Sequence, residues 1–148
     1  MTPKQFKVFF LCSGNSCRSQ MAEGFARHYG GEHLEVYSAG ISPVGVNPRA
    51  VAVMKEVGID ISGQTSKPID LNILEQADFI ITLCGDARET CPVVPAKVEK
   101  RHWPLEDPAR AGGTEDDIMS KFRSVRDQIS ELVKDLINEL LKEKEDAK

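Results

Sequence analysis

The chain reads as one α/β domain, a four-stranded parallel sheet with helices on both faces. Three observations predict this class. Segments 6–11, 34–39, 79–83 and 98–103 read as strands, the first and third of them as short buried runs, and stretches of helical period separate them. The alternation of strand and helix brings successive strands into one parallel sheet through crossovers. The 148 residues show no repeat, low-complexity linker or break in composition, as expected for a single core. The domain is expected to span residues 1–142, with 143–148 as a charged, frayed end.

Each element has a local reason. Phe-Lys-Val-Phe-Phe-Leu at 6–11 is apolar enough for a buried central strand. Met21, Ala22, Phe25 and Tyr29 recur at helical spacing over 19–29, and Gly30-Gly31 ends that helix. Residues 34–39 form the second strand, closed by Gly40. Asn47-Pro48 opens the next helix, with Asn as cap and Pro at the first position. Val51, Met54 and Val57 are its expected inner stripe, and Gly58 stops it. Asp70 caps a short helix through Gln76. The third strand is 79–83, and the fourth, shortened by Pro104, is 98–103. Thr114 caps the last helix. Glu115, Asp116 and Asp117 suit the positive end of its dipole, and Ile118, Phe122, Val125, Ile129, Leu132, Leu136 and Leu140 form its buried stripe.

Composition narrows the function. Hydrophobic residues make up 41% and charged residues 28%, ordinary values for a soluble domain. A net charge of -4 opposes nucleic-acid binding, so any bound anion must be held by local groups. No apolar run is long enough to span a membrane or to form a secretory signal, so a cytosolic monomer is expected. In that compartment Cys12, Cys17, Cys84 and Cys91 read as reactive or buried thiols rather than staples. Their C-x4-C and C-x6-C spacings lack the histidine partners of a zinc site, and no metal is expected.

Cys12-Ser13-Gly14-Asn15-Ser16-Cys17-Arg18-Ser19 joins the first strand to the first helix in the form C-x5-R-S. A loop of this length can curl so that successive backbone N–H groups point at one tetrahedral anion, and the helix after it adds its N-terminal charge. Arg18 supplies a planar donor for two oxygens. Gly14 and Asn15 tolerate the positive φ of such a curl. The same field favours thiolate at Cys12; comparable settings bring cysteine pKa values to roughly 3.5–7.5. Ser19 can donate to the sulfur. Cys12 is thus poised to attack a phosphorus-like or arsenic-like centre. Cys17 reads as packing. In a parallel sheet, sites form beyond the carboxyl ends of the strands. Cys12 comes after the first strand and Cys84 after the third, which puts both at one rim.

This signature resembles the low-molecular-weight tyrosine phosphatase family, whose sheet has flavodoxin-like strand order. The family has a phosphatase branch and an arsenate reductase branch. Phosphoester hydrolysis requires neither Cys84 nor Cys91. Reduction of arsenate to arsenite requires two electrons, which two thiols supply on becoming a disulfide. Cys12-x4-Cys17-Arg-Ser-Gln-Met-Ala-Glu, Val-Tyr-Ser-Ala-Gly, Thr82-Leu-Cys84-Gly-Asp, Cys91-Pro92, His102-Trp103 and Asp107-Pro-Ala-Arg are similar to the thioredoxin-coupled arsenate reductases. The resemblance implies that Cys12 attacks arsenate, Asp107 protonates the departing oxygen, Cys84 attacks Cys12, and Cys91 attacks Cys84. The Cys84–Cys91 disulfide then goes to thioredoxin. A Cys84–Cys91 bond requires the segment between them to unwind if it is helical, since bonded Cα atoms approach within about 7 Å. Ala109 and Arg110 stand where the phosphatase branch carries aromatic residues. A phosphotyrosine phosphatase and a non-enzymatic oxyanion sensor remain the alternatives.

Some members of the family bind potassium beside the loop. The matching residues are Asn15, Glu23 and Ser38, but the acidic position is Lys67 here. A lysine cannot ligate a cation and can pair with Glu23 instead, so no cofactor is expected. His28 and His33 are expected to face solvent, and Trp103 to pack in the core or at the rim.

Overall fold

β1 is apolar on both faces because it lies inside the sheet. The computed structural model describes residues 6–83, 95 and 97–146, without the side chains of 143–146. In chain order the elements are β1 (Phe6–Cys12), α1 (Arg18–Gly30), a 3-10 turn (Gly31–His33), β2 (Leu34–Gly40), α2 (Pro48–Glu56), α3 (Leu71–Glu75), β3 (Phe79–Thr82), β4 (Glu99–His102), a second 3-10 turn (Pro108–Arg110) and α4 (Glu115–Asp146). The strand order is β2-β1-β3-β4, and every neighbouring pair is parallel. This is the fold class the sequence predicts.

Alternate residues of β1 feed two cores, as a pleated strand requires. Val8 and Phe10 join Met21, Phe25, Phe122, Ile129 and Trp103 on the face covered by α1 and α4. Phe9 and Leu11 join Leu74, Ile80 and Val98 on the face covered by α3. Trp103 packs against Phe10 with ring centroids 5.8 Å apart, a core role as expected. His28 is exposed and His33 half-buried. No described helix is long and apolar enough to cross a membrane.

The expected caps form. Asn47 accepts from Arg49 N at 2.8 Å, Asp70 from Asn72 N at 3.0 Å, and Thr114 from Asp117 N at 3.1 Å. One expectation needs correction. The buried stripe of α2 is Ala50, Val53 and Met54, while Val57 is 45% exposed. Val57 lies just past the last helical residue, so helical spacing does not carry it inward. The fourth strand, expected over 98–103, runs from Glu99 to His102 at the sheet edge, with exposed or half-buried side chains. α4 runs from Glu115 to Asp146. Buried Leu136, Ile137 and Leu140 hold its last described turns against the core.

Candidate active site

β1 ends on Cys12 itself, and the loop begins there. The carbonyls of the loop are braced one after another. Cys12 O accepts from Ile41 N at 3.1 Å, Ser13 O from Ser42 N at 2.8 Å, Gly14 O from Val44 N at 3.1 Å, and Ser16 O from Asn47 N at 3.1 Å. Gly14 O also accepts from Ser66 Oγ at 2.9 Å, and Asn15 O from Gln20 Nε2 at 2.9 Å. All five carbonyls are therefore directed at the surrounding protein. In a trans peptide the next N–H points the opposite way, and there are no cis bonds among the described residues. The amides of Ser13 through Cys17 are thus turned to the other side, where the cleft lies.

Two loop positions differ. Asn15 has φ of 48° and is fully buried. Its side chain is saturated: Nδ2 donates to Ser19 Oγ at 2.8 Å and Ser38 Oγ at 3.0 Å, while Oδ1 accepts from Lys67 N at 2.9 Å. Gly14, expected to share the positive φ, does not. A Cβ there would meet Val44 Cγ2 at 3.0 Å, the side-chain end of a residue that is 74% exposed and able to give way.

α1 starts with Cys17 at its cap position, no side-chain cap and no acid in its first turn. α4 has both a capping threonine and three acids. The open end of α1 is available to an anion. Arg18 is buried, and its Nη1 donates to Leu83 O at 3.2 Å and Leu105 O at 3.0 Å. Its Nε is buried without a partner among the described residues. Nη1 thus anchors the guanidinium, and the Nε side of the fork remains for a ligand, which suits a bidentate oxyanion.

Cys12, Cys17 and Arg18 line a cleft of about 700 Å³ together with Asp107 and Arg110. Asp107 Oδ2 lies 3.7 Å from Arg18 Nη2, so the expected acid does stand at the loop. Its Oδ1 accepts from Ala109 N at 3.0 Å, which fixes the 3-10 turn. Cys12 and Cys17 are buried and not in disulfides. Burial, helped by the negative charge of Asp107, pushes the Cys17 thiol up to about 11 despite contributions from Ser16, Arg18 and Asn47 that lower it. Cys17 is therefore a neutral packing thiol at ordinary pH. Cys84 and Cys91, and the expected unwinding between them, lie outside the described residues.

Behind the loop, Glu23 accepts from Ser38 Oγ at 2.5 Å and from Arg27 Nε at 3.0 Å. Lys67 Nζ lies 3.8 Å from Glu23 Oε1 and donates to Thr65 O at 2.5 Å. The Glu23 carboxylate is thus engaged by a guanidinium, a hydroxyl and, at 3.8 Å, an ammonium.

Several structural residues escaped sequence reasoning. Gln20 is fully buried and ties Asn15 O to Thr65 O. A Cβ on Gly40 would lie 2.8 Å from Asn15 N and Ser13 O, so the loop can rest on β2 only over a glycine. No periodicity could have marked Gln20, because the first turns of α1 are buried all round, from Arg18 to Ala26, rather than on one face.

The family model for low molecular weight phosphotyrosine protein phosphatases matches residues 7–146. The chain belongs to that family. Among curated relatives, an arsenate reductase of Bacillus subtilis (strain 168) is 56% identical over 128 residues, covering 86% of this chain and 92% of the relative. A solved arsenate reductase in the phosphate binding state is 42% identical with a TM-score of 0.75, covering 91% of this chain and 98% of the other. The thioredoxin-dependent arsenate reductase of Corynebacterium glutamicum is 31% identical with a TM-score of 0.70, covering 93% of this chain and 64% of the other. These three relatives are arsenate reductases.

Proposed function

We propose that the chain reduces arsenate to arsenite through a relay of Cys12, Cys84 and Cys91, in a reducing cytosol, as a monomer, with thioredoxin as the final reductant. The observation that carries the reading is the loop: five carbonyls turned out and an arginine whose Nε has no partner among the described residues create a cradle for a tetrahedral anion over Cys12. Fixed dipoles of this kind stabilise charge that develops during reaction, because they need no reorganisation.

The thiols supply the chemistry. Cys12 attacks arsenic as thiolate and forms an S–As bond, and Asp107 gives its proton to the departing oxygen. Cys84 thiolate attacks the Cys12 sulfur. The S–As electron pair stays on arsenic, which leaves as arsenite, and a Cys12–Cys84 disulfide remains. Cys91 attacks Cys84 and frees Cys12, and a dithiol of thioredoxin reduces Cys84–Cys91. Two observations support the relay. Leu83 N donates to Leu11 O at 3.0 Å, so the residue before Cys84 lies beside the residue before Cys12. The relatives at 56% and 42% identity are arsenate reductases. Slow hydrolysis of small aryl phosphates is the expected side activity, since the cradle suits any tetrahedral oxyanion.

The Lys67 ammonium takes the role that potassium has in some relatives, so the protein works without a metal. Melting temperatures in potassium and in sodium at equal ionic strength should coincide; a clear rise with potassium contradicts this. The relay itself is tested by arsenite production with thioredoxin, thioredoxin reductase and NADPH. Cys12→Ser, Cys84→Ser and Cys91→Ser should each abolish multiple turnover, and Cys17→Ser should retain much of it. Arsenate should consume two thiols per turnover before reductant is added. Full turnover by Cys84→Ser, or no thiol consumption, overturns the reading.

A further inference from the structure

Arg110 stands at the lip of the cleft with no role in the steps above. Its side chain is 86% exposed, and its Nε lies 3.7 Å from Asp107 Oδ2. Asp107 Oδ2 is also 3.7 Å from Arg18 Nη2, so one carboxylate lies between two guanidiniums. The two arginines differ in freedom. Arg18 is locked by Leu83 O and Leu105 O. Arg110 has only the long contact with Asp107 among the described ion pairs, beyond hydrogen-bond range, and is free to swing over the mouth. The other acid of the lip, Glu106, is paired with Lys121 at 3.0 Å and does not compete for it.

Attack by sulfur at the floor of the cradle pushes the leaving oxygen outward, opposite the S–As bond. Three oxygens of the anion face the loop and the fourth faces the lip. In an ester that fourth oxygen carries carbon; in free arsenate or phosphate it is a hydroxyl or an anionic oxygen. A mobile guanidinium beside the proton donor is placed to hydrogen-bond an oxygen that carries no carbon.

We propose that Arg110 is a specificity-determining residue that recognises the fourth oxygen of a free tetrahedral oxyanion, and so selects inorganic anions over esters. The proposal rests on the cradle reading of the loop and is independent of the cysteine relay. Its test uses two ligands of the same shape, inorganic phosphate and methylphosphonate. The second replaces the fourth oxygen by a methyl group, so it cannot be hydrolysed there and offers no ring to stack on.

Dissociation constants of both ligands are measured on the full-length reduced chain by amide chemical-shift titration, for the wild type and for Arg110→Ala. An effect of Arg110 through the general field acts on both ligands and cancels in the ratio, and one passed through Asp107, which faces the same oxygen, is separated by repeating the comparison in Asp107→Asn, where the change in ratio on Arg110→Ala should persist. The preference for phosphate over methylphosphonate should shrink about fivefold in the variant, the scale of an exposed charged contact. Arg110→Gln, which keeps donors without the charge, should fall between. An unchanged ratio, or equal weakening of both ligands, overturns the proposal. Since neither ligand is reduced, failure here is distinct from failure to produce arsenite.

Discussion

The loop from Cys12 to Arg18 and the segment from Glu106 to Arg110 line the same cleft and are held in different ways. On the loop side every carbonyl from Cys12 to Ser16 has a protein donor, and Asn15 and Arg18 are buried. On the lip side Asp107 is held by one 3.0 Å hydrogen bond from Ala109 N and two contacts at 3.7 Å, and Arg110 is exposed. The difference matches the tasks. Amide dipoles stabilise an anion to the extent that they are already oriented, so their carbonyls must be pinned. A proton donor and a selecting cation must track an oxygen that departs, so they are better tethered than clamped.

The comparison can be broken at either wall. The largest effect is expected from Arg18→Lys, which removes the planar fork and at least one anchor to Leu83 O or Leu105 O. Arsenate kcat/KM should fall about a thousandfold, and initial-rate kinetics that show less than a tenfold loss contradict the rigid-wall account. At the lip, Asp107→Asn should lower kcat about a hundredfold through loss of the proton donor. Phosphate affinity should hold or tighten, because a negative charge leaves the cleft. If phosphate affinity collapses as well, Asp107 belongs to the rigid wall.

Gly40→Ala strikes the loop from behind without touching a ligand. A Cβ 2.8 Å from Asn15 N and Ser13 O forces the loop off β2, at a cost of about 2 kcal/mol in denaturant melts and a weaker phosphate affinity. Wild-type phosphate affinity in this variant rules out the brace as the source of the cradle. The smallest effect concerns Cys17. Its thiol is neutral in the fold up to about pH 11, whereas in the unfolded chain it ionises near 9.0. Its contribution is therefore complete below pH 9 and is lost as pH rises toward 11, about 1 kcal/mol by pH 10. Cys17→Ala should lose less stability than the wild type between pH 8 and 10, and parallel curves would show that burial does not hold the proton.

Much of this was legible in the residues alone. The strand-Cys-loop-Arg-helix order located the cradle, and Asn47, Asp70 and Thr114 announced three helix starts through their own side chains. Local signals of that kind depend on neighbours in sequence. Val57 misled because periodicity continues past the point where Gly58 stops the helix. Gly14 misled because residue types alone do not say which of two neighbouring loop residues takes the positive φ, and here it is Asn15.

Sequence by itself determined the fold class and the rim at which Cys12 and Arg18 meet, because these come from periodicity, capping and strand-helix topology. The tertiary structure alone decided which way the loop amides point, that Gly40 and Gln20 hold them there, and that Asp107 stands 3.7 Å from both Arg18 and Arg110. Those outcomes depend on contacts between segments far apart in the chain, and no local preference encodes a distance across a cleft.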